Sequence, residues 1–320
     1  MDNRLKQQFA LIQIIRDFFN QQNFTDVLTP PMVMNPGYEA HIHPFSVYST
    51  INKKLTGEYL QTSPEFYMKH LLSEGFDKIF NISYCFRDEP SSPIHRNQFL
   101  MLEWYRTNAY YDQIMNDCEA LVNFAIKELK KKSIKLRRDE IKFQRKTVQE
   151  IFDFYLKINI LDFENVEKIK KLLLEKFPDV PVPKSDKLLW DDYFFLLFLN
   201  RVEPFLKEDF PFLILYEFPE QLSALSTIKK DNPKVCERFE IFINGVELAN
   251  CFNELRDIKI QKARFDEQNA IKKNLYKYEL PQPEILFSAL EKGFPASAGI
   301  ALGVERLLYS ICDIENPFFK

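Results

Sequence analysis

The sequence predicts an α+β fold, an antiparallel sheet with helices packed around it. Three observations carry this. Residues 78–88 and 98–106 alternate apolar and polar side chains across a polar loop at 89–97, which predicts a long hairpin. Asn244-Gly245 lies between two apolar runs and signals a second hairpin turn. Helical periodicities surround these strands along the chain.

The elements follow in order. Residues 3–22 form an amphipathic helix, with Leu5, Phe9, Ile12, Ile15 and Phe19 at helical spacing. A short strand at 24–29 stops at Pro30-Pro31, which cannot continue a ladder. Ser63-Pro64-Glu65 starts a helix, with an N-cap serine, proline in the first turn and an acid near the positive end. After the hairpin a helix runs over about 112–130. Residues 131–205 are rich in Lys, Leu and Phe at helical spacing, with helices at 163–176 and 186–202. They are expected to be a helical insertion in one domain spanning 1–320. Strands return at 212–218 and 238–243, and a charged helix covers about 259–274. A strand over 299–302, bracketed by Gly299 and Gly303, runs into a helix at 304–311.

Composition bounds the function. A chain of 320 residues suits one large domain with an insertion. Apolar residues make up 46%, with 31 phenylalanines, so an aromatic core is expected. A net charge of −3 lacks the basic excess of a general nucleic-acid binder, although a local basic face stays open. The five cysteines are scattered with no CxxC pair, which points away from a disulfide framework or zinc site and toward a reducing cytoplasm. There is no signal peptide and no apolar run long enough for a membrane helix. His41-Ile-His43 has no evident third ligand and is assigned to a loop.

Three segments carry chemistry. The first is Phe86-Arg87-Asp88-Glu89, then a polar loop, then Phe99 to Glu103 and Tyr105. An arginine at a strand end can grip a phosphate with both arms, and Phe99 can offer a flat face to a base; the alternative is an Arg87–Glu103 salt bridge. The second runs from Arg238 to Glu254. Glu247 and Glu254 lie seven apart, on opposite faces of a regular strand, so the strand must bulge if both serve one site. Two carboxylates with ATP phosphates suit Mg²⁺; the alternative is two solvated edge glutamates. The third is Gly299-Ile-Ala301-Leu-Gly303-Val-Glu305-Arg306. Bare backbone at Gly303 admits a nucleotide and Arg306 can reach a terminal phosphate; the alternative is a tight strand–helix corner.

Together, in this order, these segments resemble the three motifs of class II aminoacyl-tRNA synthetases. Pro30 after helix and strand resembles motif 1, Phe86-Arg87-Asp88-Glu89 with Phe99 motif 2, and Gly303-Val-Glu305-Arg306-Leu motif 3. Thr62-Ser-Pro-Glu65, Met101-Leu-Glu103-Trp-Tyr105-Arg106 and Glu247-Leu-Ala-Asn250-Cys-Phe-Asn-Glu254-Leu point to the lysine subgroup. Within it the chain is most similar to the ligases that join a lysine-like amino acid to elongation factor P, over nearly its whole length and least at 131–205. The chain departs from the pattern at Arg96, where asparagine is usual, and at Asp88, often asparagine; its tail also ends slightly early.

The resemblance implies the class II synthetase catalytic fold and a homodimer formed through motif 1. It implies ATP and Mg²⁺, lysine or (R)-β-lysine as the amino acid, and a lysine of elongation factor P as acceptor. Arg87 and Arg306 would be catalytic on the phosphates. Asp88, Glu89, His95, Arg96, Phe99, Leu248 and Gly303 would complete the ATP site, with Glu247 and Glu254 on the metal. Ser63, Pro64, Glu65, Glu103, Tyr105, Asn250, Phe252, Glu254 and Ala301 would hold the amino acid. Glycine is usual at position 301 in the tRNA-charging enzymes. A methyl there is expected to favour the β-amino acid by roughly 10–200-fold. The helix that resembles motif 1 begins near residue 3, leaving no anticodon-binding domain ahead of it, so tRNA is not the expected acceptor. The alternatives are a stand-alone lysyl-tRNA synthetase-like enzyme and a non-catalytic regulatory paralogue, which would have lost Arg87 and Arg306.

Overall fold

The computed structural model describes residues 3–92, 94–185, 187–314 and 316–318. Along the chain the elements are α1 (Asn3–Gln21), β1 (Thr25–Asp26), β2 (Met32–Val33), β3 (Ser46–Ser49), β4 (Lys54–Leu60), α2 (Glu65–Ser73), β5 (Lys78–Phe86), β6 (Gln98–Thr107), α3 (Tyr111–Lys131), β7 (Gln144–Thr147), α4 (Val148–Leu156), α5 (Val166–Lys176), α6 (Trp190–Arg201), α7 (Glu203–Asp209), β8 (Phe212–Tyr216), β9 (Arg238–Ile243), β10 (Val246–Asn253), α8 (Ile258–Tyr276), α9 (Glu284–Glu291), β11 (Ser297–Gly303) and α10 (Val304–Ile311). They divide into two compact units. One holds the residues up to 140 and from 254 onward, the other 141–253.

In the first unit the strand order is β1-β5-β6-β11. Strand β1 runs parallel to β5, and the other two pairs are antiparallel. The expected hairpin is the β5–β6 pair, in continuous register from Lys78↔Arg106 to Phe86↔Gln98. Helix α1 buries Leu11, Ile14, Ile15, Phe18 and Phe19. Phe19 stacks on Phe80 of β5 at 4.8 Å and meets Trp104 of β6 at 5.3 Å. The expected apolar stripe was partly out of phase. Phe9 is 57% exposed, because the buried face follows the 7/8, 11, 14/15, 18/19 ladder one step round the helix. A separate three-stranded sheet, β2-β4-β3, and helix α9 carried no signal in the sequence reading.

The start of α2 also differs from expectation. Pro64, not Ser63, is the N-cap residue. The Ser63 hydroxyl still accepts the Glu65 N–H at 3.1 Å, but it donates to a carboxylate of β6.

In the second unit the strand order is β10-β9-β8-β7, with β7 parallel to β8 and the rest antiparallel. The register shifts between Glu247 and Ala249, so the pairing is irregular at Leu248, as the strand would need if both glutamates served one site. The core is aromatic. Phe194 of α6 stacks between Trp190 at 5.4 Å and Phe152 at 5.2 Å. Thr147 accepts the Glu150 N–H and Glu150 accepts the Thr147 N–H, a capping box that starts α4. Helices α4 to α7 lie in or beside the segment expected to be a helical insertion, and strand β7 lies among them. Among the described residues no helix is long and apolar enough to cross a membrane.

One buried acid in the first unit ties α10 to the hairpin. Both oxygens of Glu305 accept the Leu100 N–H at 3.0 Å, and Glu305 is 3% exposed. Strand β11 ends opposite Met101, so the carboxylate takes over where strand pairing stops. Burial raises its pKa to about 7 against the opposing backbone hydrogen bonds. Glu305→Ala would leave the Leu100 N–H buried and unpaired. It is expected to lower the unfolding free energy by about 1–3 kcal/mol, read from denaturant titration.

Candidate active site

The register of β6 and β11 builds the floor of the site. Tyr105, Glu103 and Met101 lie directly opposite Gly299, Ala301 and Gly303, so all six share one sheet face. The β11 contribution to that face is two bare backbones and one methyl. The Tyr105 ring lies close against Gly299, and a Cβ at 299 would stand 2.0 and 2.2 Å from two of its carbons. The glycine therefore sets where the Tyr105 hydroxyl goes.

That hydroxyl donates to Glu103 Oε2 at 3.2 Å, and Ser63 donates to Glu103 Oε1. Glu103 is 1% exposed. Burial, reinforced by the nearby Glu65, pushes its pKa up to about 8, against the two hydroxyl donors and Lys69. The Arg87–Glu103 bridge weighed as an alternative is not what Glu103 makes.

Beside it stands an ion cluster. Lys69 Nζ lies 2.6 Å from Glu65 Oε1 and 2.6 Å from Glu254 Oε2. The Lys69 and Glu254 side chains are almost fully enclosed. Burial alone would lower the Lys69 pKa, but Glu254 and then Glu65 outweigh it and raise it, so the lysine is charged. Burial drives Glu254 upward and the ammonium opposes it. Ser63, Glu65, Glu103, Tyr105 and Glu254 are thus brought together as expected, with Pro64 buried between Ser63 and Glu65.

Arg87 follows the end of β5. Its Nε is buried and has no hydrogen-bond partner among the described residues, and its guanidinium is 5.4 Å from the Phe99 ring centre. An orphaned donor on a cation beside an aromatic face fits a nucleotide phosphate and base. The loop is braced by Asn97, which donates to the Arg87 and Glu89 carbonyls at 3.1 and 3.0 Å, while Asp88 N–H donates to His43 O at 2.7 Å. His43 and His41 meet Tyr278 and Tyr276, which makes them loop anchors.

Arg306 follows Gly303, the residue that opens α10. Its Nη2 is 2.8 Å from His95 Nε2, and His95 Nδ1 is 2.8 Å from Ser92 Oγ. The departure at Arg96 has a structural use. Its guanidinium donates to the Ser92 and His95 carbonyls and lies over Phe318 at 5.0 Å, holding the loop turn in shape.

The other residues singled out belong to the second unit. Glu247 is partly exposed beside the bulge and Leu248 is buried. Asn250 Oδ1 accepts from Arg238 Nε at 3.0 Å, and the same guanidinium pairs with Glu240 at 2.5 Å and lies 5.6 Å from the Phe252 ring centre. Among the described residues no group of three or more His, Cys, Asp or Glu side chains is placed to hold a metal ion.

The profile of the class II tRNA synthetases (D, K and N) matches residues 1–316. The chain belongs to this family. Among curated relatives, the elongation factor P–(R)-β-lysine ligase of Vibrio cholerae serotype O1 is 34% identical over 308 residues, 96% of this chain and 90% of that protein. The ligases of that name from Photobacterium profundum and Proteus mirabilis are each 33% identical. They align over 95% and 98% of this chain and 90% and 92% of their own lengths. As a class II synthetase-like chain it is an ATP-dependent amino acid ligase.

Three residues of this family member escaped the sequence reading. Lys69 stands four residues after Glu65 on α2, a spacing that could have flagged it. Arg238 holds Asn250 from the neighbouring strand. Gly299 was seen only as the edge of a strand, because its role depends on the register with Tyr105. Gly299→Ala is expected to displace the Tyr105 ring and lower amino-acid-dependent ATP–pyrophosphate exchange by about 100-fold, with an unchanged circular dichroism spectrum.

Proposed function

We propose that this chain activates a diamino acid, lysine or (R)-β-lysine, with ATP and joins it to a lysine side chain of elongation factor P. The observation that carries the reading is the enclosed cluster of Glu65, Glu103 and Glu254, an acid-rich recess suited to ammonium groups. The curated relatives of similar length bear the name of this reaction.

In the first half-reaction a carboxylate oxygen of the amino acid attacks the α-phosphorus of ATP, and the bond to pyrophosphate breaks. The barrier is crowding of negative charge, so cations aimed at the phosphates supply most of the help. Arg87 holds the α-phosphate with its orphaned donor, and Arg306 the terminal phosphate. His95 releases Arg306 to the phosphate as ATP enters. Phe99 stacks on adenine, with Asp88, Glu89, Arg96 and Gly303 shaping the rest of the ATP site. In the second half-reaction the acceptor lysine amine attacks the acyl carbon, loses a proton, and AMP leaves.

Glu103 with Tyr105 takes the side-chain ammonium, and Glu65 with Ser63 and Pro64 the other amine. In this reading Glu254, paired with Lys69, serves the amino acid, and Mg²⁺ would travel with the ATP phosphates. Ala301, opposite Glu103 on the site floor, is placed to sense the position of the amino group and to select the β-isomer. The exposed Phe9, Leu28 and Met34 around motif 1 suit a homodimer contact. The five buried free thiols suit the cytoplasm.

Charging of tRNA is not favoured, since the relatives are named for a protein acceptor and the overall charge is slightly negative. A non-catalytic paralogue would have no use for Arg87 and Arg306. The test is competition between acceptors. Labelled (R)-β-lysine, ATP, total tRNA and purified elongation factor P are supplied together, and RNA and protein are separated. The label is expected on one lysine of the protein as a base-stable amide. Label found chiefly on tRNA and released by mild base would overturn the reading.

A further inference from the structure

Lys69 is a buried cation that no step above uses. It projects from α2 one helical turn beyond Glu65, and its ammonium reaches Glu65 and, across to the segment that follows β10, Glu254, each at 2.6 Å. The side chain is 3% exposed. Its second carboxylate is more deeply enclosed than its first, at 1% against 19% side-chain exposure. The cluster continues without a break to Glu103, because Ser63 accepts the Glu65 N–H while donating to Glu103, and Tyr105 donates to the other oxygen of that acid.

We propose that Lys69 is a positioning and specificity residue, a resident ammonium that sets the charge of the amino-acid recess and fixes Glu65 and Glu254 in place to receive the substrate. This inference rests on the diamino-acid reading above. Three carboxylates stand against the one ammonium that Lys69 brings, which leaves two negative charges when all are ionised. A diamino acid offers two ammonium groups. The same recess without Lys69 would carry a third uncompensated carboxylate and would either take up a proton or let Glu254 swing out of place. With Lys69 present, neither Glu65 nor Glu254 is free to rotate toward the other's position, since one ammonium anchors both. A neutral amino acid would leave the two remaining charges buried and unpaired, so the same device rejects it.

The test uses the intact chain in ATP–pyrophosphate exchange with lysine and (R)-β-lysine. Three variants are made: Lys69→Ala, Lys69→Gln, which keeps a donor and most of the length but not the charge, and Lys69→Arg, which keeps the charge. The expected result is a rise of about tenfold or more in KM for the diamino acid in Lys69→Ala and Lys69→Gln, with KM for ATP held within about twofold. Lys69→Arg is expected to stay closer to wild type than Lys69→Gln. Propylammonium chloride is expected to restore Lys69→Ala toward the wild-type KM, whereas sodium chloride at equal ionic strength is not. A merely structural lysine would raise both KM values together, or lower stability alone, and would show no rescue by a small ammonium. An amino-acid KM within twofold of wild type in Lys69→Gln overturns the proposal even if Lys69→Ala does not fold. Wild-type protein that exchanges with no diamino acid would instead remove the functional reading on which this inference stands.

Discussion

A carboxylate taken out of water must find a cation or keep its proton, and this chain buries Glu103 and Glu254 and half-buries Glu65 beside them. That constraint organises the first unit. Glu254 can be enclosed because Lys69 meets it, and Lys69 can be enclosed because Glu65 meets it from the same helix. Among the described residues Glu103 accepts hydrogen bonds from the hydroxyls of Ser63 and Tyr105, and burial pushes its pKa up to about 8 against them. Removing one member of a buried pair costs about 3–5 kcal/mol, so each residue of this set constrains the others. In the function proposed above, an incoming ammonium would stabilise the ionised form of Glu103.

The surrounding structure makes room for that chemistry. The face shared by β6 and β11 places Tyr105, Glu103 and Met101 on one strand opposite glycine, alanine and glycine on the other. Glu305 extends the contact between α10 and β6 past the point where β11 ends, which sets the origin of Arg306 relative to the loop carrying Arg87 and His95. The same local economy explains Arg96. Where asparagine is usual, its guanidinium closes the turn carbonyls of Ser92 and His95. In the second unit, Arg238 holds Asn250 in a comparable way, backed by Glu240 and two aromatic rings.

Much of this was legible in the sequence, for identifiable reasons. The β5–β6 hairpin announced itself by alternation across a polar loop, and Asn244-Gly245 marked the β9–β10 turn. The odd spacing of Glu247 and Glu254 pointed to a bulge if both serve one site, and the register shift falls at Leu248. The acids Glu65, Glu103 and Glu254 were legible by resemblance to the lysine subgroup. What stayed hidden depends on partners distant in sequence. Lys69 looks like any solvated helix lysine until Glu254 arrives from 185 positions away, as the numbering shows. Gly299 looks like a strand end until the register sets it beneath Tyr105. The small β2–β4 sheet was missed because its strands are short and largely exposed, with no buried alternating face.

The central claim is that the enclosed acids select an amino acid with two ammonium groups. The most direct measurement is ATP–pyrophosphate exchange by the wild-type chain across a panel of amino acids, with norleucine as the neutral isostere of lysine. The account predicts exchange with lysine or (R)-β-lysine and a catalytic efficiency for norleucine lower by about 10⁴-fold, since buried charges would be left unpaired. Comparable exchange with norleucine, or a preference for any amino acid with a single ammonium group, would contradict it.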